Sequence, residues 1–192
     1  EKKYRLSGSD QQMLKNLLRK RGMQFLYPQR SVNSVYFDTS NLDLFHASEE
    51  GVLPRKKVRV RWYDGSSLSK ETKISSVEGR YKLSCDFQDE TFLLNYNATI
   101  IDGDYGVLTP ALIVSYQREY FSFKELRLTF DSNIQYTDLR AHTGHTLPDE
   151  ECVMEIKTSD KTPDDYIEEV IAYPTSRFSK YSRGILRVNG ML

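Results

Sequence analysis

Apolar positions along the chain recur at two spacings. Between Asp10 and Arg21, Met13, Leu14, Leu17 and Leu18 fall at helical spacing. Ser9 is placed to cap this helix, Gln12 completes a capping box and Gly22 can end it. A short helix is predicted near Leu42–Ser48. Another is predicted after Thr162, with Pro163 in the first helical position, Asp164 and Asp165 at the dipole's positive end, and Tyr166, Ile167, Val170 and Ile171 buried before Pro174. A weaker helical pattern lies near Asp89–Asn95. Elsewhere the period is two, which predicts strands at Lys2–Leu6, Val32–Phe37, Pro54–Tyr63, Ser69–Ile74, Arg80–Cys85, Leu112–Phe121, Leu126–Asp131, Cys152–Thr158 and Gly184–Val188. Asp64-Gly65 and Glu78-Gly79 mark turns between them. Many strands with few helices, and no regular strand–helix alternation, indicate an α+β fold with a mainly antiparallel sheet.

Successive strand side chains point to opposite faces. In Arg55–Trp62 this puts Arg55, Lys57, Arg59 and Arg61 on one face and Lys56, Val58, Val60 and Trp62 on the other. The same sorting pairs Glu71 with Lys73, Arg80 with Lys82, and Glu155 with Lys157. It also aligns Arg127, Thr129 and Asp131 opposite Leu126, Leu128 and Phe130, and groups Tyr116, Arg118 and Tyr120. An ordinary solvated face would mix uncharged polar residues with both charges. Here Lys3, Arg59, Arg61, Lys73, Lys82, Arg118, Arg127, Lys157 and Lys180 are nine cations against Glu1, Glu71 and Glu155, while the 27 basic and 27 acidic residues of the chain cancel. Charge is therefore sorted by face. If the strands close into a barrel, such a cluster is costly unless water and an anion occupy it. Arginine offers bidentate contacts to phosphate oxygens, and sparse carboxylates among cations suit a Mg²⁺ or Mn²⁺ ion bridging phosphates. The expected ligand is a linear or multi-phosphate anion.

Composition narrows the alternatives. A length of 192 residues suits one domain spanning 1–192, and 39% hydrophobic residues suffice for a core. Zero net charge disfavours a nucleic-acid partner. No apolar run approaches a membrane span, so no membrane contact is visible. No signal peptide opens the chain, and Glu1 begins within a predicted strand, so the N-terminus reads as trimmed. Cys85 and Cys152 lack metal or redox spacing and are expected to be buried thiols of a cytoplasmic protein. His142 and His145 are read as part of a solvated loop, His46 as structural and Asp102-Gly103-Asp104 as a turn. Tyr36, Phe37 and Trp62 are read as core aromatics.

The motifs Glu1-Lys2-Lys3-Tyr4, Val35-Tyr36-Phe37-Asp38-Thr39, Arg59-Val60-Arg61, Glu71-Thr72-Lys73, Tyr116-Gln117-Arg118, Arg127-Leu128-Thr129-Phe130-Asp131, Met154-Glu155-Ile156-Lys157 and Phe178-Ser179-Lys180-Tyr181 occur in an order that resembles VTC-type polyphosphate polymerase domains, within the triphosphate-tunnel (CYTH-like) superfamily. The resemblance covers nearly the whole chain. It implies an antiparallel β-barrel tunnel with a few flanking helices. It also implies transfer of the ATP γ-phosphate onto a growing polyphosphate chain, with pyrophosphate and polyphosphate as further partners. Lys3, Arg59, Arg61, Lys73, Arg118, Arg127 and Lys180 match the residues that hold and neutralise the reacting phosphates. Lys82 matches on the following strand, Glu155 matches the metal-associated glutamate, and Lys157 is added because it shares that face. Such transfer needs positioning and charge neutralisation more than covalent chemistry. Hydrolytic and cyclase relatives open with two alternating glutamates, whereas only Glu1 precedes Lys3 here, which favours the polymerase branch. A triphosphate or tripolyphosphate hydrolase in the same tunnel, and a non-catalytic polyphosphate-binding module, are the alternatives. The extra sensor domain and membrane helices of eukaryotic VTC complexes do not appear in this chain.

Overall fold

A computed structural model describes residues 1–89, 91–140, 144–158 and 162–192. The elements in chain order are β1 (Lys2–Leu6), α1 (Gly8–Lys20), β2 (Gln24–Asp38), α2 (Asp43–Glu50), β3 (Arg55–Tyr63), β4 (Ser69–Ser75), β5 (Arg80–Asp86) and α3 (Phe92–Asn95). They continue with β6 (Ile100–Asp102), β7 (Gly106–Phe123), β8 (Leu126–Asp138), β9 (Thr146–Pro148), β10 (Cys152–Lys157), α4 (Asp164–Val170) and α5 (Lys180–Val188). The hydrogen-bonded order is β1-β10-β8-β7-β2-β3-β4-β5, with β6 on β7 and β9 on β8. Among the described residues this ladder runs open from β1 to β5. The chain divides into two compact units, and β2, β7 and β8 each contribute segments to both.

The first unit comprises Glu1–Ser31, Tyr116–Ile134 and Pro148–Phe178. One face of its strands carries Tyr4, Leu6, Phe121, Phe123, Leu126, Leu128, Phe130, Met154 and Ile156, which pack with Leu14 and Leu18 of α1 and Ile167 and Val170 of α4. Helix α1 begins two residues earlier than the sequence pattern predicts. Ser7, not Ser9, is its cap, accepting from the Asp10 amide. Its buried stripe is Gln11, Leu14, Lys15 and Leu18, which leaves Met13 and Leu17 exposed. Lys15 survives burial because it is ion-paired with Glu119. In helix α4 Pro163 occupies the N-cap position, one residue before the first helical position expected of it and without a side-chain capping hydrogen bond, and the helix stops at Val170, short of Pro174.

The second unit comprises Val32–Ser115, Gln135–Leu147 and Ser179–Leu192. Val35, Phe37, Val58 and Val60 form one face and pack with Leu44, Phe92, Ile100 and Leu108. Asp38 ends β2 and starts α2: its fully buried carboxylate accepts from the Thr39, Leu44 and Phe45 amides and from the Tyr181 hydroxyl. Two orphan donors of the helix's first turn, and the Thr39 amide ahead of it, are thus satisfied by one side chain. The strand predicted at Gly184–Val188 is instead helix α5. Ser179 caps it by accepting from the Ser182 amide, and Tyr181 and Ile185, one turn apart, are both buried. Gly184 lies in a tight contact, where a Cβ would come within 2.5 Å of both Leu112 Cδ2 and Tyr136 Cδ1. Cys152 is buried as expected, whereas Cys85 is exposed because β5 is the last strand of the ladder; both thiols are free.

Candidate functional site

In the second unit the polar face of β3, β4 and β5 is fixed by register. Lys57, Lys73 and Lys82 stand directly opposite one another across three strands, and Arg59, Glu71 and Ser84 form the adjacent row. Arg59 Nε donates to Glu71 Oε2 at 2.7 Å, and Lys82 Nζ lies 2.6 Å from Glu71 Oε1. Arg61 Nη1 lies 3.9 Å from the same carboxylate, while its Nε donates to Ser34 Oγ at 3.0 Å. One carboxylate thus serves three cations. Burial alone would raise the Glu71 pKa, but Arg59, Lys82 and Arg61 outweigh it and hold it down at about 2. Lys57 donates to Ser179 Oγ at 2.7 Å, and Lys180 is buried at the start of α5. Tyr36, opposite Arg59 in the β2–β3 ladder, accepts from Arg59 Nη1 at 2.9 Å.

In the first unit the polar face carries a second cluster. Lys3 is opposite Glu155 on β10, and Glu155 is opposite Thr129 on β8. Arg118 grips Asp131 through two 2.6 Å hydrogen bonds and reaches Glu155 Oε2 at 3.1 Å. These carboxylates, with Tyr116, raise the Arg118 pKa well above its ordinary value despite burial. Lys3 Nζ lies 3.7 Å from Glu155 and 3.5 Å from Glu1, and it donates to the Phe178 carbonyl at 3.1 Å. Arg127 is exposed, opposite Lys157, and sits over the Tyr27 and Tyr120 rings at 5.7 and 5.8 Å. It has no carboxylate partner among the described residues. The Thr129 hydroxyl is buried without a hydrogen-bond partner among them.

The sequence-predicted cations therefore fall into two groups. Arg59, Arg61, Lys73 and Lys82 share one face of the second unit, which also holds Lys180, and Lys3, Arg118, Arg127 and Lys157 share one face of the first. Charge sorting by face holds in both: Glu71 neutralises part of the second unit's cluster, and Asp131 and Glu155 neutralise part of the first unit's. Phe37 is fully buried, Trp62 packs against the core, and Tyr36 is buried as expected, but with its hydroxyl on the cationic face beside Ser34. The alternation of Ser34, Tyr36 and Asp38 against Val35 and Phe37 carried that signal. Lys57, on the predicted face but outside the predicted site, completes the lysine row. Among the described residues no group of three or more His, Cys, Asp or Glu side chains is arranged to hold a metal ion. His142 lies outside the described residues, and His46 packs its ring edge-on against Phe45. Asp102 and Asp104 are both ion-paired with Lys56, as suits a turn rather than a calcium loop.

The structure superposes along nearly its whole length on several solved proteins. A Pyrococcus horikoshii protein is 15% identical, with a TM-score of 0.54 over 97% of this chain and 98% of its own. A putative adenylyl cyclase from Hippeastrum, described as having a dominant triphosphatase activity, is 18% identical, with a TM-score of 0.55 over 100% of this chain and 95% of its own. A putative adenylate cyclase from Vibrio parahaemolyticus is 13% identical, with a TM-score of 0.51 over 95% of each chain. At these identities the likeness shows the fold alone, that of the triphosphate-tunnel class, α+β with a mainly antiparallel sheet. Among the described residues no helix is long and apolar enough to cross a membrane. No curated relative matches the sequence. The VTC domain model, however, matches residues 1–102 and again residues 98–189. The chain belongs to the VTC domain family.

Proposed function

We propose that this protein is a metal-dependent polyphosphate polymerase that transfers the γ-phosphate of ATP onto the terminal phosphate of a growing chain. The observation that carries this reading is the cross-strand row Lys57–Lys73–Lys82 beside Arg59 and Arg61. Like charges placed directly opposite destabilise a sheet. A linear polyanion laid along that face turns the repulsion into binding, and it competes with Glu71 for Arg59, Arg61 and Lys82. Lys180 would extend the phosphate-binding set at the start of α5. In the first unit, Arg118, Arg127, Lys3 and Lys157 would hold phosphate oxygens. The acceptor's terminal oxygen attacks, so no protein nucleophile is required.

Glu155 is the candidate metal ligand, with Glu1 reaching the same lysine. One or two carboxylates fit a Mg²⁺ or Mn²⁺ ion that takes its remaining ligands from phosphate oxygens and water, and they do not fit an all-protein cage. Bound there, the ion would neutralise charge on the phosphates. Arg118 and Lys3 orient Glu155 and set how much of its charge is available. The test is incubation with ATP, Mn²⁺ and a pyrophosphate primer, followed by gel and phosphate analysis. Long chains with ADP are expected. Orthophosphate alone would replace this reading with a hydrolase, and retained polyphosphate binding without turnover would replace it with a binding module.

A further inference from the structure

Tyr36 is 6% exposed, yet its hydroxyl faces the cations rather than the core. Arg59 Nη1 donates to that oxygen at 2.9 Å, while Nε of the same guanidinium donates to Glu71 at 2.7 Å. The guanidinium is therefore held on two sides, by a carboxylate on β4 and a phenol on β2. The ring is fixed as well: it stacks on Tyr181 with centroids 4.8 Å apart and planes 14° from parallel, and the Tyr181 hydroxyl donates to buried Asp38. Among the described residues the charged and titratable groups acting on Tyr36 and its partners include Arg59 and Arg61 from β3, Glu71 and Lys73 from β4, Lys82 from β5, Tyr181 from α5 and Arg140 after β8, with Asp38 on the same strand. The part of β7 in this unit, Gly106–Ser115, carries no charged residue.

Building on the polyphosphate reading, we infer that Tyr36 is the positioning residue for the Arg59 guanidinium, and that its oxygen takes up a proton when a polyphosphate occupies the surrounding cations. In the free protein the oxygen accepts from Arg59 and shares its positive surroundings with one carboxylate. Burial alone would raise the phenol's pKa. Arg59 and Arg61, the Arg59 hydrogen bond and Lys73 outweigh burial and lower it from 10 to about 7. A bound polyanion cancels those same positive charges, so a negative phenolate beside it becomes unfavourable and the proton returns. Arg59 keeps its orientation throughout because a neutral phenol oxygen still accepts a hydrogen bond. Ligand affinity and proton uptake are then linked at one residue that does not itself touch the phosphates.

The experiment follows the tyrosinate ultraviolet band of the whole chain from pH 6 to 9. Wild type and Tyr36→Phe are compared with and without tripolyphosphate, whose binding is measured separately by calorimetry. Phenylalanine keeps the stack on Tyr181 and removes only the hydroxyl. Wild type is expected to show a tyrosinate step near pH 7 that Tyr36→Phe lacks and that bound tripolyphosphate moves upward. Above pH 7 the wild-type affinity should fall by up to about tenfold per pH unit more steeply than that of the variant, as uptake of one proton requires. A purely structural role for Tyr36 would leave the two pH slopes parallel. The inference is overturned if wild type shows no step below pH 9, if the step survives in Tyr36→Phe, or if bound tripolyphosphate leaves it in place. A wild-type step with no tripolyphosphate binding in the calorimeter would overturn the polyphosphate reading instead, and the ligand linkage with it.

Discussion

Replacing Glu71 with glutamine isolates the charge that holds the β3–β5 cluster together in the free protein. The side chain is 5% exposed and receives Arg59, Arg61 and Lys82. Its drop from an ordinary 4.5 to about 2 corresponds to roughly 3 kcal/mol of differential interaction. A carboxylate whose folded pKa lies below its unfolded value stabilises the fold above the unfolded value, and the contribution is lost as pH falls through the folded one. The window here runs from about 4.5 down to about 2. At pH 7, Glu71→Gln should therefore unfold in urea with a stability lower by roughly 3 kcal/mol, and the gap to wild type should close as the pH is lowered through that window. Because the variant leaves Arg59, Arg61 and Lys82 without their carboxylate, saturating tripolyphosphate should raise its stability by more than it raises that of wild type. Equal stabilities at pH 7, or a gap that does not change with pH, would refute this account of the cluster.

Glu155→Gln should bind tripolyphosphate with affinity close to wild type by calorimetry but lose Mn²⁺-dependent turnover, since it retains an acceptor for Arg118 while removing the charge. Arg127→Ala should weaken tripolyphosphate binding at least tenfold with an unchanged thermal midpoint, because Arg127 is exposed, lies over two tyrosine rings and has no ion-pair partner among the described residues. Arg59→Ala is a poorer test of binding, because it strips buried Glu71 and Tyr36 of a partner and should destabilise the fold as well. Gly184→Ala should cost about 1–3 kcal/mol in urea unfolding, because Tyr136 and Leu112 must both move to admit the methyl group.

The alternation of side chains, a local property of extended backbone, made much of the architecture legible in the sequence. It separates Arg59 and Arg61 from Val58 and Val60, and Arg127 and Thr129 from Leu128 and Phe130. The ordered motifs identified the family. Alternation failed where local and tertiary preferences compete. Ile185, Leu186 and Val188 favour a strand, but the Ser179 cap and the joint burial of Tyr181 and Ile185 make the segment helical. The first half of β2 was missed because Pro28 and several exposed residues break its pattern. It is extended all the same: Phe25 and Tyr27 meet Phe121 and Tyr120, and the β3 ladder pairs with Val32–Phe37, leaving Pro28 outside it.

Which charges neutralise one another was decided by register alone. The sequence determined that Glu71 shares a face with Lys73, and that Arg59 and Arg61 share another strand's face. Only strand pairing placed Glu71 opposite Arg59, and Lys57, Lys73 and Lys82 in one row. Likewise the sequence contained Tyr36 and Asp38, but the fold gave one an arginine to hold and the other a helix to start. Periodicity is set by bonds between neighbouring residues and can be read along the chain. Pairing depends on which strands meet and in what register, and that is fixed by the burial of the apolar faces, because a one-residue slip would turn each core to water.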